Sequence, residues 1–238
     1  MFGKQKTAAL VAEFLGTGVL TLLIYSVAHS QIALAFFIAM AAGLTLAMVT
    51  FVFGGVSGGH FNPAITLAAW TARQIDAITA VVYIAVQMLG AYLAYYLFKY
   101  LINAPLANVK THYNGRILVA EAVGTGIFAL GWSAASVYNR VSLAGGAAIT
   151  GLSYMVGIVS AASLAGIAFL NPAVALGVRS WAWGTYVLGP VLGAVIGVNL
   201  YQYLFAATGV AKTRVAAVAA PAKAGPKRKT TAKRKTRK

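Results

Sequence analysis

The sequence predicts an all-α membrane protein with six transmembrane helices and two re-entrant half-helices, arranged as an inverted 3+3 repeat. The chain has 238 residues, of which 60% are hydrophobic and three are acidic, whereas a soluble domain of this length carries far more charge. Apolar segments of about 20 residues, the length that crosses a bilayer, recur along the chain. An Asn-Pro-Ala motif follows the second such segment, and another follows the fifth.

The predicted transmembrane segments share long apolar runs and few charges. They cover residues 8–28, 31–53, 77–101, 117–137, 142–162 and 182–207. Glu13 interrupts the first run, which argues against a cleaved signal peptide. An even number of spans places both termini on one side, and the basic residues near each terminus make that side the cytoplasm. We therefore expect a multi-pass protein of the cytoplasmic or plasma membrane.

The two halves of the chain repeat each other. Segments 11–20 and 119–128 share Val-Ala-Glu and Gly-Thr-Gly at an offset of 108. Three further pairs follow in the same order: GLT (43–45) with GLS (151–153), FNPAITL (61–67) with LNPAVAL (170–176), and YIAVQMLGA (83–91) with YVLGPVLGA (186–194). Because each half has an odd number of spans, the second half enters the membrane from the opposite side. The predicted units are a first repeat (1–107), a second repeat (108–208) and a tail (209–238).

The net charge of +16 is concentrated in the tail, where residues 212–238 contain eleven Lys or Arg residues and no acidic residue. This segment has no apolar periodicity, so we predict that it is disordered. The simplest interpretation is a solvated tail that keeps the C-terminus cytoplasmic. Contact with anionic lipid headgroups is an alternative, and nucleic acid is the partner that we expect least.

Each Asn-Pro-Ala motif is expected to begin a half-helix, because Asn is a preferred N-cap and Pro is favoured at the first helical position. The stretches 62–72 and 171–180 each span about half of a ~30 Å hydrocarbon core. Two such helix starts, meeting from opposite faces, favour a water oxygen and disfavour a cation. A turn between helices is the alternative for each motif. The motif residues are Asn62, Pro63, Ala64, Asn171, Pro172 and Ala173.

These patterns resemble the aquaporin, or major intrinsic protein, family. The resemblance is carried by GGHFNPAITL (58–67), LNPAVAL (170–176) and the paired AE..GTG segments (12–18 and 120–126), and it covers about residues 7–205. It implies six spanning helices, two half-helices and one pore in each protomer of a homotetramer. It also implies a passive channel for water or small neutral solutes, such as glycerol, urea, ammonia or hydrogen peroxide.

The resemblance implies roles for two acids and one histidine near the motifs. Glu13 and Glu121 lie within apolar spans, where acids normally face the protein interior, and the family's matching acids brace the loop before each half-helix. A proton relay in a coupled transporter is the alternative. His60 matches a pore-lining loop histidine, although a hydrogen-bonded histidine without a gating role fits as well. Neither metal-ligand spacing nor a catalytic arrangement stands out, so we expect no metal, no cofactor and no enzyme.

The family narrows its pore with a ring of four residues, which the matched motifs place at Ala42, Val159, Ala168 and Val174. The family usually has Arg at the position of Val174 and an aromatic residue elsewhere in the ring. Without them the ring loses a positive charge, side-chain donors and bulk. Two opposed hypotheses follow. In the first, the pore is wide and weakly selective. In the second, the pore has a dry apolar constriction, and the chain is a poorly conducting structural protein of membrane junctions.

Overall fold

The structure is a computed structural model that describes residues 3–104, 112–137 and 142–206. Within these residues it contains α-helices, one π-helical turn and no β-strand, which confirms the predicted all-α class. The long helices are α1 (Lys4–Ala28), α2 (Ala35–Ser57), α4 (Ala77–Ile102), α5 (Gly115–Val137), α6 (Leu143–Ala165) and α8 (Leu188–Leu204). The short helices are α3 (Pro63–Thr71) and α7 (Pro172–Gly177), and the π-helical turn Trp183–Val187 precedes α8. The predicted repeat boundary at 107/108 and the tail 209–238 lie outside the described residues.

Six helices of the described chain are long and apolar enough to cross a membrane, with α8 and its preceding turn forming one span. The six predicted spans are therefore confirmed, although some of their ends differ. Helix α2 runs from Ala35 to Ser57 instead of 31–53. It stops where Gly58 adopts a left-handed conformation, with φ of 94°, which is a common way to end a helix. A hydropathy profile alone does not show where a glycine ends a helix in this way.

The long helices pack closely through glycines. Helix α2 crosses α6 at Gly43 and Gly151, where a Cβ built on Gly43 would lie 2.7 Å from the Gly151 carbonyl oxygen. Helix α1 crosses α4 at Gly18 and Gly90, where the corresponding distance is 3.3 Å. In a bilayer, helices associate by van der Waals packing, so small residues at the crossings stabilise the bundle.

We expect Gly43→Val to lower the unfolding temperature of the detergent-solubilised protein, because the added side chain meets the backbone of α6. Overpacking of this kind costs about 1–3 kcal/mol or more. The matched control is Gly55→Val on the same helix, where an added Cβ meets nothing within 4 Å. Thermal unfolding followed by circular dichroism measures both variants. Equal decreases in the unfolding temperature of the two variants would contradict the close contact between α2 and α6.

The half-helices differ in length. Helix α3 has nine residues, which is close to the expected 62–72, whereas α7 has six and ends at Gly177, before the expected 180. Each is followed by an arginine with positive φ, 58° at Arg73 and 61° at Arg179. The Arg179 guanidinium lies 5.0 Å from the centre of the Tyr95 ring on α4. This cation–π contact holds the chain against α4 immediately after α7 ends.

Candidate functional site

The two Asn-Pro-Ala motifs meet and are joined by reciprocal hydrogen bonds. Asn62 Nδ2 donates to the Leu170 carbonyl oxygen at 2.7 Å, and Asn171 Nδ2 donates to the Phe61 carbonyl oxygen at 2.9 Å. Both asparagines are 1% exposed. Residues more than a hundred positions apart thus bring the starts of α3 and α7 together at one point.

Each asparagine also caps its own half-helix. Asn62 Oδ1 accepts from the Ala64 N–H at 2.8 Å, and Asn171 Oδ1 accepts from the Ala173 N–H at 3.0 Å. An amide nitrogen has two hydrogens, and the reciprocal bond uses one of them. The remaining N–H of Asn62 is a donor at the point where the helices meet, whereas the Asn171 amide also interacts with the Tyr154 hydroxyl. The other motif residues, Pro63, Ala64, Pro172 and Ala173, are buried around it.

A non-helical loop leads into each half-helix: the first loop comprises residues 58–61 and the second loop residues 166–170. In both loops the residue before the asparagine has positive φ, 46° at Phe61 and 54° at Leu170. Outside glycine this left-handed conformation costs roughly 1–2 kcal/mol per residue. The surrounding hydrogen bonds therefore have to hold it in place.

Glu13 on α1 holds the first loop. Its carboxylate accepts from the N–H groups of His60 at 3.0 Å and Phe61 at 2.6 Å. The Ser57 hydroxyl donates to it at 2.6 Å, and Gln87 Nε2 donates at 2.8 Å. Glu13 is fully buried. Loop backbone in apolar surroundings needs such partners, and these contacts are the ones that a bracing role requires.

Glu121 on α5 holds the second loop in the same way. Its two carboxylate oxygens accept from the N–H groups of Phe169 and Leu170, each at 2.7 Å. The Tyr154 hydroxyl donates to the Phe169 carbonyl oxygen at 2.7 Å. Glu121 is also fully buried. The two acids thus bind equivalent positions of the two loops.

His60 lies in the first loop and is enclosed by neighbouring side chains. Its Nδ1 is 3.1 Å from the Thr66 hydroxyl oxygen. The rings of Tyr83 and Trp132 meet it edge to face, with centroid distances of 5.4 and 5.3 Å. The Trp132 indole N–H donates to the Gly59 carbonyl oxygen at 3.2 Å. His60 is therefore packed and hydrogen-bonded at this end of the site.

The residues of the predicted ring lie on different elements. Ala42 on α2 and Val174 on α7 are fully buried in one apolar cluster, and Val159 on α6 and Ala168 in the second loop pack against that cluster from partly exposed positions. Val159 lies on the face of α6 that carries the exposed Leu152 and Val156. Its neighbour Ile158, which is 4% exposed, lies on the buried face.

Sequence reasoning missed several contributors to the site. Gln87 Nε2 joins Glu13 to the Thr66 hydroxyl, which it approaches to 2.9 Å. A polar residue inside an apolar span is costly unless it has partners, so Gln87 did leave a signal in the sequence. Trp132 left none, because tryptophan suits a lipid-facing position as well as an interior one.

Comparison with known proteins places this arrangement in a family. The sequence profile of the family described as major intrinsic protein matches residues 3–201. Aquaporin-4 from Bos taurus is 33% identical over 183 residues, which cover 71% of this chain and 56% of that protein. Probable aquaporin AqpM from Archaeoglobus fulgidus is 30% identical over 188 residues, which cover 71% of this chain and 76% of that protein. The match thus spans little more than half of the length of aquaporin-4.

A solved structure has the same fold. The X-ray structure of the aquaglyceroporin from Plasmodium falciparum superposes with a TM-score of 0.67 at 20% identity, covering 84% of this chain and 96% of that one. Members of the family are channels and not enzymes, which agrees with the expectation from the sequence. The six apolar spans identify an integral multi-pass membrane protein. The profile match covers most of the chain, which therefore belongs to the major intrinsic protein family.

Proposed function

We propose that the protein is a passive transmembrane channel for water and small neutral solutes, such as glycerol, urea, ammonia or hydrogen peroxide. The observation that carries this proposal is the meeting of two asparagine-capped half-helices inside six apolar spans. The remaining N–H of Asn62 donates to a passing oxygen. The positive ends of α3 and α7 point at the same place and oppose a cation.

The solute range depends on the apolar ring, for which Ala42, Ala168 and Val174 are three members. On α6 we assign the fourth position to Ile158 in preference to Val159, because residues on one helical face recur every three to four positions. Ile158 shares the buried face of α6, whereas Val159 shares the exposed one. A ring of these side chains has neither a charge nor a side-chain donor, so it separates neutral solutes by size alone.

A dry constriction is the second candidate, and one observation favours it. Ala42 and Val174 are both fully buried in the apolar cluster, and a narrow apolar neck excludes water by dewetting. A coupled transporter with a proton relay has less support. Glu13 and Glu121 already accept the loop N–H groups, and this use of their carboxylates favours bracing.

For the whole protein we propose two inverted repeats (1–107 and 108–208) in a homotetramer of the cytoplasmic or plasma membrane. Helices α2 and α6 support the repeat, since both have 23 residues and both end at a left-handed glycine, Gly58 and Gly166. Both termini are assigned to the cytoplasm because of their basic residues. There we propose a solvated tail at residues 209–238, with contact to anionic lipid as the alternative.

We expect proteoliposomes containing the protein to swell faster than protein-free vesicles in stopped-flow experiments with water and with at least one of glycerol and urea. The flux should follow the solute gradient and need no ion gradient, because the path is passive. If folded tetramers leave the permeability at the level of empty vesicles, the channel proposal fails. A requirement for a proton gradient, abolished by Glu13→Gln, would identify a coupled transporter instead.

A further inference from the structure

Trp132 contacts the first loop, whereas two members of the proposed apolar ring, Ala168 and Val174, lie in the second loop and on α7. Trp132 comes from α5, in the other half of the chain, and is buried at 3% exposure. Its indole N–H donates to the Gly59 carbonyl oxygen, and its ring plane stands at 88° to the His60 ring. A large aromatic side chain thus occupies the space directly before the start of α3.

The backbone direction of the first loop places this contact beside the proposed path. The N–H groups of His60 and Phe61 point at Glu13. In a trans peptide the preceding carbonyl points the opposite way, so the carbonyl groups of Gly59 and His60 point away from Glu13. Asn171, at the start of the other half-helix, binds the Phe61 carbonyl oxygen. The Gly59 carbonyl belongs to the same loop. Because the Trp132 indole N–H already donates to this carbonyl oxygen, the oxygen is no longer offered to a passing solute.

Two buried hydroxyl groups close to Trp132 or to the first loop have no protein partner among the described residues. Within the described part of the chain, Thr50 Oγ1 and Ser133 Oγ are buried and have no hydrogen-bond partner. Thr50 belongs to α2 and lies beside the first loop, since a Cβ built on Gly59 would be 3.4 Å from its Cγ2. Ser133 follows Trp132 directly on α5. Buried hydroxyls normally bind a protein group or a water molecule, so these groups point to a polar occupant.

The second loop has no equivalent of Trp132. At the offset of 108 its counterpart in the first half is Ile24, and at the offset of 109 the counterpart of Gly59 is Ala168. Ile24 is buried in the apolar cluster, but its side chain has no donor. The two ends of the path therefore differ: one carries the apolar ring, and the other carries an indole beside a histidine.

We propose that Trp132 and His60 form a second constriction, on the first-loop side of the asparagine pair, and that this constriction sets the upper size limit for solutes. The inference rests on the proposed channel function. Water passes the indole edge and binds the Thr50 hydroxyl. Glycerol has to displace the indole and permeates more slowly than water, so Trp132 adds a size selection to that of the apolar ring.

The first test compares Trp132→Ala with Phe98→Ala, a control that shortens a buried aromatic side chain outside the cluster that contains Val174. Both variants are assayed in proteoliposomes with water and glycerol gradients. Trp132→Ala is expected to raise the ratio of glycerol to water permeability by about tenfold, the scale of discrimination by pocket size. Phe98→Ala should leave this ratio unchanged. Trp132→Leu, which keeps an apolar side chain, replaces Trp132→Ala if the latter does not fold. An unchanged ratio in the Trp132 variant, or equal changes in both, overturns the proposal.

The second test does not depend on conduction. The chain contains no cysteine, so Thr50→Cys introduces a single thiol at the proposed constriction. With Trp132 present, a membrane-impermeant thiol reagent should label it slowly from the first-loop side. In the Thr50→Cys, Trp132→Ala double variant, labelling should be about tenfold faster, in proportion to the solute effect. Equal labelling rates overturn the constriction even if the protein conducts. Faster labelling without any flux sustains the constriction and refutes the channel.

Discussion

Replacing Glu13 with Ala is expected to destabilise the protein more than replacing any exposed acid. The N–H groups of His60 and Phe61 lose their acceptor, and a buried donor without a partner costs about 1–3 kcal/mol. With both N–H groups affected, the free energy of unfolding should fall by roughly 3–5 kcal/mol. Thermal unfolding in detergent and the yield of monodisperse protein measure this loss.

Two further variants separate bracing from other roles of Glu13. Glu13→Gln keeps one acceptor oxygen, so its unfolding temperature should lie between those of the wild type and Glu13→Ala. Asp76→Ala is the matched control, because Asp76 is an exposed acid that caps α4 by accepting from the Thr79 N–H at 2.8 Å. Asp76→Ala should lower the unfolding temperature by less than Glu13→Ala does. If Glu13→Ala unfolds no earlier than Asp76→Ala, the carboxylate does not hold the first loop.

Replacing Val174 with Arg is expected to convert the ring into one that favours water. The arginine adds a positive charge, several donors and bulk to the ring proposed with Ala42 and Ala168. If the wild-type ring is wide, the ratio of glycerol to water permeability should fall by about tenfold. If the wild-type ring is a dry constriction, the guanidinium wets it and the water permeability should rise above that of the wild type. Stopped-flow swelling with water, glycerol and urea measures both quantities.

Val174→Leu is the matched control, since it adds bulk without charge. It should lower the permeability to both water and glycerol, with less change in their ratio than Val174→Arg causes. A solute ratio that stays at the wild-type value in both variants would show that Val174 lies outside the constriction. The ring would then have to be sought at other residues, with Ile158 and Trp132 as the first to vary.

Much of the fold follows from local features of the sequence. The spans follow from runs of apolar residues, and the ends of α2 and α6 follow from Gly58 and Gly166, which adopt the left-handed conformation that stops a helix. The starts of α3 and α7 are also local, because each Asn cap and the Pro after it act within a few residues. Helix α7 is the exception: its early end coincides with the contact between Arg179 and Tyr95, which lies on another helix.

The sequence by itself determined the helices and the asparagine caps, because these depend on residue type and on neighbours along the chain. Only the tertiary structure decided which groups meet across the bundle. The bonds from Asn62 to Leu170 and from Trp132 to Gly59 join residues that are 108 and 73 positions apart. The choice between Ile158 and Val159 depends on how α6 is rotated. Apolar side chains suit lipid and interior equally well, so hydropathy does not specify that rotation, whereas packing against neighbouring helices does.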